Sequence, residues 1–198
     1  DWAVANAGGH GFYRVRYSAE LAESLKGGLG KTLSAVERFG LVNDAWATTL
    51  AGLTSLPDYL GLIELLRDED DVNVWTTVIG SCHHLARILD DGQRAGLEKR
   101  LCALFAGAVE RGGWTVKSGE SELTSQLRGD LIGALGTVAD DQATQERARE
   151  LFAAYEKNTD SVDRNLIPAL VSIIAHTGGA ADYEKFVAKF KNAQTPQE

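Results

Sequence analysis

The stretch N-A-G-G-H-G-F-Y-R-V-R-Y, residues 6–17, separates two kinds of pattern in this sequence. Its first half is rich in glycine and asparagine, which tolerate positive φ and favour turns. In its second half the side chains alternate, so that Tyr13, Val15 and Tyr17 share one face. Together with residues 2–5, this stretch predicts a short β-hairpin. An isolated hairpin is marginally stable in water, so we expect it to complete a sheet whose other strands belong to a preceding domain.

The sequence after residue 17 has helical periodicity. Apolar residues recur at three- and four-residue spacing, for example from Leu123 to Leu135 and from Tyr183 to Phe190. Ser, Asp or a Ser-Glu capping box stands before several of these runs. The predicted helices cover about 19–26, 34–51, 55–66, 72–89, 93–111, 120–138, 140–156, 162–176 and 181–191.

The length and number of these helices favour an extended array over one shared core. We therefore predict an all-α fold of antiparallel helix pairs in a superhelical array, preceded by the hairpin. A compact helical bundle is the alternative architecture. The glycine-rich loop 112–119 is expected to separate two halves.

The last residues contain a helix start signal. Thr195-Pro196-Gln197-Glu198 is a second capping box with proline at the first helical position. The chain also contains no methionine. We therefore expect a piece of a longer polypeptide, with residues 1–17 left from a preceding β-sandwich and residues 18–198 forming a helical-repeat domain truncated at its C-terminal end.

Composition excludes several classes of function. The formal net charge is −8, whereas nucleic-acid binders usually present a basic face. No apolar run approaches the roughly 20 residues of a membrane span. The two cysteines, Cys82 and Cys102, do not form a disulfide framework, and we expect both to be reduced and buried. These features predict a cytoplasmic protein that binds neither nucleic acid nor membrane.

The sequence shows no catalytic or metal-binding motif. His83 and His84 are adjacent on a predicted helix, where neighbouring side chains point about 100° apart and cannot both face one ion. There is no HExxH, paired CxxC or GxSxG motif. The glycine run at residues 8–11 precedes a predicted strand, not the helix N-terminus that a phosphate site needs. We therefore predict no catalytic residue, no metal ligand and no cofactor in this chain.

Residues 6–17 resemble the junction motif of zinc aminopeptidases of the aminopeptidase N type, in which a strand closes a β-sandwich before the chain enters a helical C-terminal domain. The chain is also similar to the C-terminal domain of endoplasmic-reticulum aminopeptidases. The matching positions in the junction are Asn6, Gly11, Tyr13, Arg14, Val15 and Tyr17. Weaker matches follow in the family's order at Glu37-Arg38 with Asp44-Ala45, at Glu69 with Trp75, and at Gln126-Leu127-Arg128 with Leu131.

This resemblance implies a HEAT- or armadillo-like domain without peptidase activity of its own. In the family, such a domain closes the substrate chamber over a zinc-containing catalytic domain and limits which peptides enter. Its partners would be the preceding domains of the same polypeptide and the peptide substrate. An independent helical-repeat scaffold for protein partners is the alternative function, and a small helical enzyme with a hidden site is a third hypothesis.

One residue is a candidate for contact with the peptide. Arg128 matches a position on a helix of the chamber-forming domain, and a guanidinium can hold a carboxylate. The alternative is a salt bridge inside the domain with an acid such as Asp130 or Glu98. Arg14 and Arg38 are expected to be structural, at the domain junction and between helices.

Overall fold

The computed structural model describes residues 3–29 and 32–193, and these ranges contain nine α-helices. The helices are α1 Ala19–Lys26, α2 Ala35–Leu50, α3 Leu56–Ile63, α4 Val72–Ile88, α5 Asp91–Gly112, α6 Glu122–Gly136, α7 Gln142–Lys157, α8 Ile167–Thr177 and α9 Ala180–Asn192. Four single 3-10 turns lie at Ala7–Gly9, Glu64–Leu66, Thr159–Ser161 and Arg164–Leu166. The prediction of an all-α fold is confirmed, while the capping box at residues 195–198 lies outside the described residues.

Local capping sets where several helices begin. The side chains of Ser18, Ser55 and Asp71 accept hydrogen bonds from backbone N–H groups in the first turns of α1, α3 and α4. These bonds satisfy amides that have no partner inside the helix. Helix α8 begins at Ile167 with Pro168 in its first turn, where the missing amide costs nothing. Helix α8 therefore begins at Ile167, five residues after the predicted start at residue 162.

The predicted β-hairpin is wrong over the residues that the structure describes. Residues 3–29 contain no strand, and the glycine-rich turn forms a 3-10 turn at Ala7–Gly9. A hairpin needs backbone amides that pair with a neighbouring strand. Here the amide of Val15 donates to the carboxylate of Asp44 on α2, at 3.1 Å. The Asp44 side chain thus accepts the hydrogen bond that the Val15 amide would otherwise donate to a partner strand.

The chain divides into two compact units, residues 1–112 and 113–198, at the loop that was predicted to separate two halves. In the first unit, α2 packs against α3 and α4, and α4 packs against α5. Trp75 is fully buried, with its ring centroid 5.8 Å from that of Phe105. Tyr59 is also fully buried, and its hydroxyl lies 2.5 Å from the Ser81 hydroxyl. Large aromatic side chains therefore fill the centre of this unit.

In the second unit, α8 packs against both α6 and α7. The core side chains are mainly aliphatic, and they include Leu127, Leu131, Ile132, Leu135, Leu170, Ile173 and Ile174. Gly129 lets another segment approach closely, because a Cβ at this position would lie 2.3 Å from the carbonyl oxygen of Asn165. The turn before α8 therefore packs directly against the backbone of α6.

Two predicted apolar faces differ from the structure. Leu123 is exposed, although it belongs to the four-residue leucine repeat of α6. A spacing of four residues turns about 40° per step around a helix of 3.6 residues per turn, so the first leucine leaves the buried stripe. On α9, Tyr183 and Phe190 are exposed. Phe186 packs against Phe152 of α7, with the two ring centroids 5.8 Å apart.

Candidate functional site

The segment before α1 is attached to α2 through the residues that carried the junction resemblance. The Asn6 side chain closes the glycine turn, because its amide nitrogen donates to the Gly11 carbonyl at 3.0 Å and its oxygen accepts from the Gly11 amide at 2.7 Å. Nearby, the Gly8 amide donates to the carboxylate of Glu37 on α2, at 3.1 Å. The turn is thus held both internally and against the helical unit.

Glu37 links this turn to the start of α2. Its carboxylate also accepts hydrogen bonds from the amide and the hydroxyl of Ser34, each at 2.8 Å. These hydrogen bonds, with that from Gly8, hold the pKa of Glu37 below its ordinary value. Glu37 therefore both caps α2 and forms a tertiary contact with the turn.

Asp44 is the second attachment point. Its carboxylate accepts from the Arg14 guanidinium at 3.0 Å and from the Val15 amide at 3.1 Å. Asp44 is buried, whereas the Arg14 side chain is 57% exposed. The hydroxyls of Tyr13 and Tyr17 bond to the Ala5 carbonyl and amide, at 2.8 and 3.2 Å. This arrangement fixes the course of residues 5–17 across α2 without a sheet.

Arg38 and Glu69 form a buried ion pair between α2 and the turn before α4. Two guanidinium nitrogens of Arg38 donate to the two Glu69 oxygens at 2.6 and 2.7 Å. The Asp70 and Asp71 amides donate to the same carboxylate, and the Trp75 indole donates to the Glu69 carbonyl at 3.0 Å. Burial raises the pKa of Glu69, but these hydrogen bonds outweigh it and the net pKa is lowered. Arg38 therefore joins α2 to the turn before α4, which supports the expected structural role.

Arg128 lies in a buried polar cluster of the second unit. Its side chain is 2% exposed and donates to the carboxylate of Glu120, which is itself 5% exposed. A second nitrogen of the guanidinium lies 3.7 Å from the Asp163 carboxylate, before α8. The Ser125 hydroxyl donates to the other oxygen of Glu120 at 2.5 Å. Arg128 therefore joins the loop before α6 to the turn before α8.

The hydrogen bonds to Glu120 favour its ionised form. Arg128 first, and then Ser125, lower the pKa of the Glu120 carboxyl to about 2. An ion pair inside the domain was one of the two predictions for Arg128. Its acids are Glu120 and Asp163, not the suggested Asp130 or Glu98, because the loop after Gly119 and the turn before α8 both fold onto α6 at this point.

The remaining titratable groups do not converge on a reaction centre. Within residues 3–29 and 32–193, no group of three His, Cys, Asp or Glu side chains could hold a metal ion. His83 and His84 are both exposed on α4, and the His84 ring centroid lies 5.5 Å from that of Trp46. Neither Cys82 nor Cys102 is in a disulfide; Cys82 is buried as predicted, whereas Cys102 is only partly buried. No helix in these ranges is long and apolar enough to cross a membrane.

Sequence reasoning missed Glu120 and Asp163 as the partners of Arg128, and it missed that Asp44 binds residues 14 and 15. The available signal was weak, because Glu120 and Asp163 stand just before helices, where acids usually cap the first turn. Asp44 lies within α2, and its partners are 30 and 29 positions away. A buried arginine requires nearby acids, but its burial becomes visible only in the fold.

The geometry defines a helical domain whose buried ion pairs fasten segments together. The whole chain, residues 2–198, matches the model of the ERAP1-like C-terminal domain family, and the chain belongs to this family.

Its relatives include several aminopeptidases. Aminopeptidase M1 of Arabidopsis thaliana is 27% identical over 100% of this chain and 23% of its own length. Aminopeptidase M1-D of Oryza sativa subsp. japonica is 30% identical, over 96% of this chain and 22% of its own length. Aminopeptidase 2, mitochondrial, of Saccharomyces cerevisiae is 27% identical over 88% of this chain and 19% of its own length. The chain therefore spans about a fifth of these relatives and matches their C-terminal region.

Proposed function

We propose that this chain is the non-catalytic C-terminal helical domain of a zinc metallo-aminopeptidase, an enzyme that releases N-terminal amino acids from peptides. The observation that carries the proposal is the family match across residues 2–198, in a region that forms about a fifth of aminopeptidase relatives. The domain closes the substrate chamber and limits the access of peptides. Its helices act as HEAT-like antiparallel pairs in a superhelical array.

The proposed partner of the N-terminal segment is a preceding β-sandwich domain. An extended chain directs alternate amides to opposite sides. The Val15 amide faces Asp44, so the amides of Arg14 and Arg16 would face the other way and could pair with a strand of that domain. Phe12, whose side chain is fully exposed, would be covered in the same contact. Residues 1–17 thus serve as the last piece of the preceding domain, and residues 18–198 as the helical domain.

Zinc is assigned to a preceding catalytic domain and not to this chain. The described residues do not fit zinc, because they offer no group of three potential ligands and the two adjacent histidines diverge on α4. A cytoplasmic location is part of the proposal, supported by two cysteines of which neither is in a disulfide.

The alternative function is an independent scaffold that binds a protein partner. The exposed aromatic side chains of Tyr183 and Phe190 on α9 favour this alternative, since exposed aromatic rings are enriched at protein interfaces. A scaffold would bind its partner without any link to peptide hydrolysis.

Hydrolysis of aminoacyl-p-nitroanilides distinguishes these functions. The 198-residue chain should release no p-nitroaniline with or without added zinc, while the intact polypeptide that carries it should be active and lose activity with a chelator. An intact polypeptide without activity would favour the scaffold. Zinc-dependent release by the chain alone would overturn the non-catalytic assignment.

The contact of Arg128 with peptide stays a prediction, and its burial favours the alternative role in an ion pair. In the intact enzyme, Arg128→Ala should be compared with Arg149→Ala, which changes an arginine that is 43% exposed in the same unit. A KM that rises for long peptides and not for short ones, in Arg128→Ala alone, would support a substrate contact. An unchanged KM together with a lower Tm would support the ion pair.

A further inference from the structure

A cleft of about 480 Å³ opens on the first unit. One wall is formed by residues 15–18 and the side of α1 that carries Ala22. The opposite wall is formed by α2, the loop 53–55 and the first turns of α3. The volume lies in the range of about 300 to 1,000 Å³ that is typical of small-molecule sites. None of the contacts that fasten the junction segment fills this space.

The floor of the cleft is apolar. Leu41, Ala45 and Leu62 line it, and they come from α2 and α3. The hydroxyls at its edge are already bonded within the protein, since those of Thr48 and Thr54 lie 2.8 Å apart. The floor therefore offers an aliphatic surface on which an aliphatic ligand body can pack, beside the polar groups of the rim.

Four charged residues line the cleft, and they are not equally engaged. Lys26 and Glu23 form an ion pair at 2.6 Å, so their charges offset each other. The Asp58 carboxylate accepts from the Ser55 hydroxyl at 2.6 Å. The exposed Arg16 forms no hydrogen bond or ion pair with any residue that the structure describes. Arg16 thus carries guanidinium donors that no described residue engages, at the rim of a cleft with an aliphatic floor.

We propose that this cleft binds a small carboxylic acid with a branched aliphatic body. The carboxylate would bond to the planar donors of Arg16, and the aliphatic part would rest on Leu41, Ala45 and Leu62. A hydrated inorganic anion such as phosphate leaves the apolar floor unused. The ligand's source is either a free small acid or the C-terminal residue of a peptide, which present the same chemistry. This inference does not depend on the aminopeptidase assignment.

The test is an NMR titration of the 198-residue chain with N-acetyl-leucine. We expect saturable shifts of the Leu41, Ala45 and Leu62 methyl signals. Arg16→Ala should weaken binding about tenfold or more, because it removes a charge-assisted hydrogen bond. Arg87→Ala is the matched control, since it removes an exposed arginine of α4 outside the cleft. It should bind like the parent chain.

Further measurements examine the two halves of the ligand. N-acetyl-leucinamide, which lacks the carboxylate, should bind the parent chain as weakly as N-acetyl-leucine binds Arg16→Ala. Ala22→Leu narrows the cleft from α1 and should weaken binding while the circular dichroism spectrum is kept. Tighter binding by a pentapeptide ending in leucine would support the proposal with a peptide source, and tighter binding by the free acid would support it with a small-acid source. Absence of saturable shifts, or equal binding by Arg16→Ala and the parent chain, would overturn it.

Discussion

The carboxylate of Asp44 binds the guanidinium of Arg14 at 3.0 Å, across 30 positions of sequence. The adjacent Val15 amide donates to the second oxygen of the same carboxylate. One buried acid on α2 thus fixes both a side chain and the backbone of the segment before α1. This contact attaches the junction segment to α2, and its loss should be measurable.

Replacement of Asp44 by alanine should release the junction segment. We expect a loss of about 1 to 3 kcal/mol in the free energy of unfolding, since a buried charged hydrogen-bond acceptor is removed. Hydrogen exchange of the Val15 amide should also accelerate. Urea unfolding and amide exchange measured by NMR check both effects. The control Asp160→Ala, at an exposed acid, should stay within about 0.5 kcal/mol of the parent chain. Unchanged protection of Val15 would refute the contact.

The pH dependence of stability should report on Glu120. Its pKa is about 2 in the folded chain and 4.5 ordinarily, so its ionised form stabilises the fold above pH 4.5. That contribution is lost as the pH falls toward 2. Glu120→Gln should therefore be less stable at pH 7 and should lose less stability between pH 4.5 and 2.

Urea unfolding across this pH range checks the prediction for Glu120. Glu122→Gln is the control, because Glu122 is an exposed acid in the first turn of α6. Its stability should follow the pH curve of the parent chain. Parallel curves for Glu120→Gln and the parent chain would show that the ion pair with Arg128 does not stabilise the fold.

Two glycine-to-alanine changes should alter the free energy of unfolding in opposite directions. In Gly129→Ala the new Cβ would lie 2.3 Å from the Asn165 carbonyl oxygen, so α6 and the turn before α8 must separate. Overpacking of this kind costs about 1 to 3 kcal/mol. In Gly80→Ala, within α4, the new Cβ meets no atom within 4 Å apart from neighbouring residues and the backbone of its own helix, and the better helix former should raise the free energy of unfolding by about 1 kcal/mol. Thermal and urea unfolding compare the two, and a neutral Gly129→Ala would contradict the close packing.

The two thiols should differ in reactivity. Burial raises the pKa of the Cys82 thiol to about 12, so almost no thiolate exists at neutral pH. Cys102 is partly exposed. Iodoacetamide should therefore label Cys102 before Cys82 in the folded chain, as read by mass spectrometry of the peptides. In denaturing urea both should react at similar rates, which serves as the control. Equal labelling of the folded chain would mean that Cys82 is accessible.

The helices could be predicted because their signals are local. Ser18, Ser55 and Asp71 satisfy amides within the next few residues, so the sequence pattern alone indicates where α1, α3 and α4 begin. Apolar periodicity then predicts the buried face wherever the spacing stays near 3.6 residues. Leu123 shows the limit, since it continues a repeat of four and leaves the core.

The errors at the junction and at Arg128 have a common cause. The Val15 amide bonds to a side chain 29 positions away, which local alternation does not reveal. Arg128 binds Glu120, eight positions earlier, and lies beside Asp163, which the fold brings to α6. Alternation and residue type indicate which secondary structure a segment prefers, whereas these contacts depend on which distant segment packs beside it in the fold.

We propose above that this chain is a helical domain of an aminopeptidase whose catalytic centre lies in a preceding domain. The most direct test measures p-nitroaniline release from an aminoacyl-p-nitroanilide by the intact polypeptide and by residues 1–198 alone, each with added zinc. We predict zinc-dependent release by the intact polypeptide and none by the chain alone. Release by residues 1–198, or no release by the intact polypeptide, would contradict the claim.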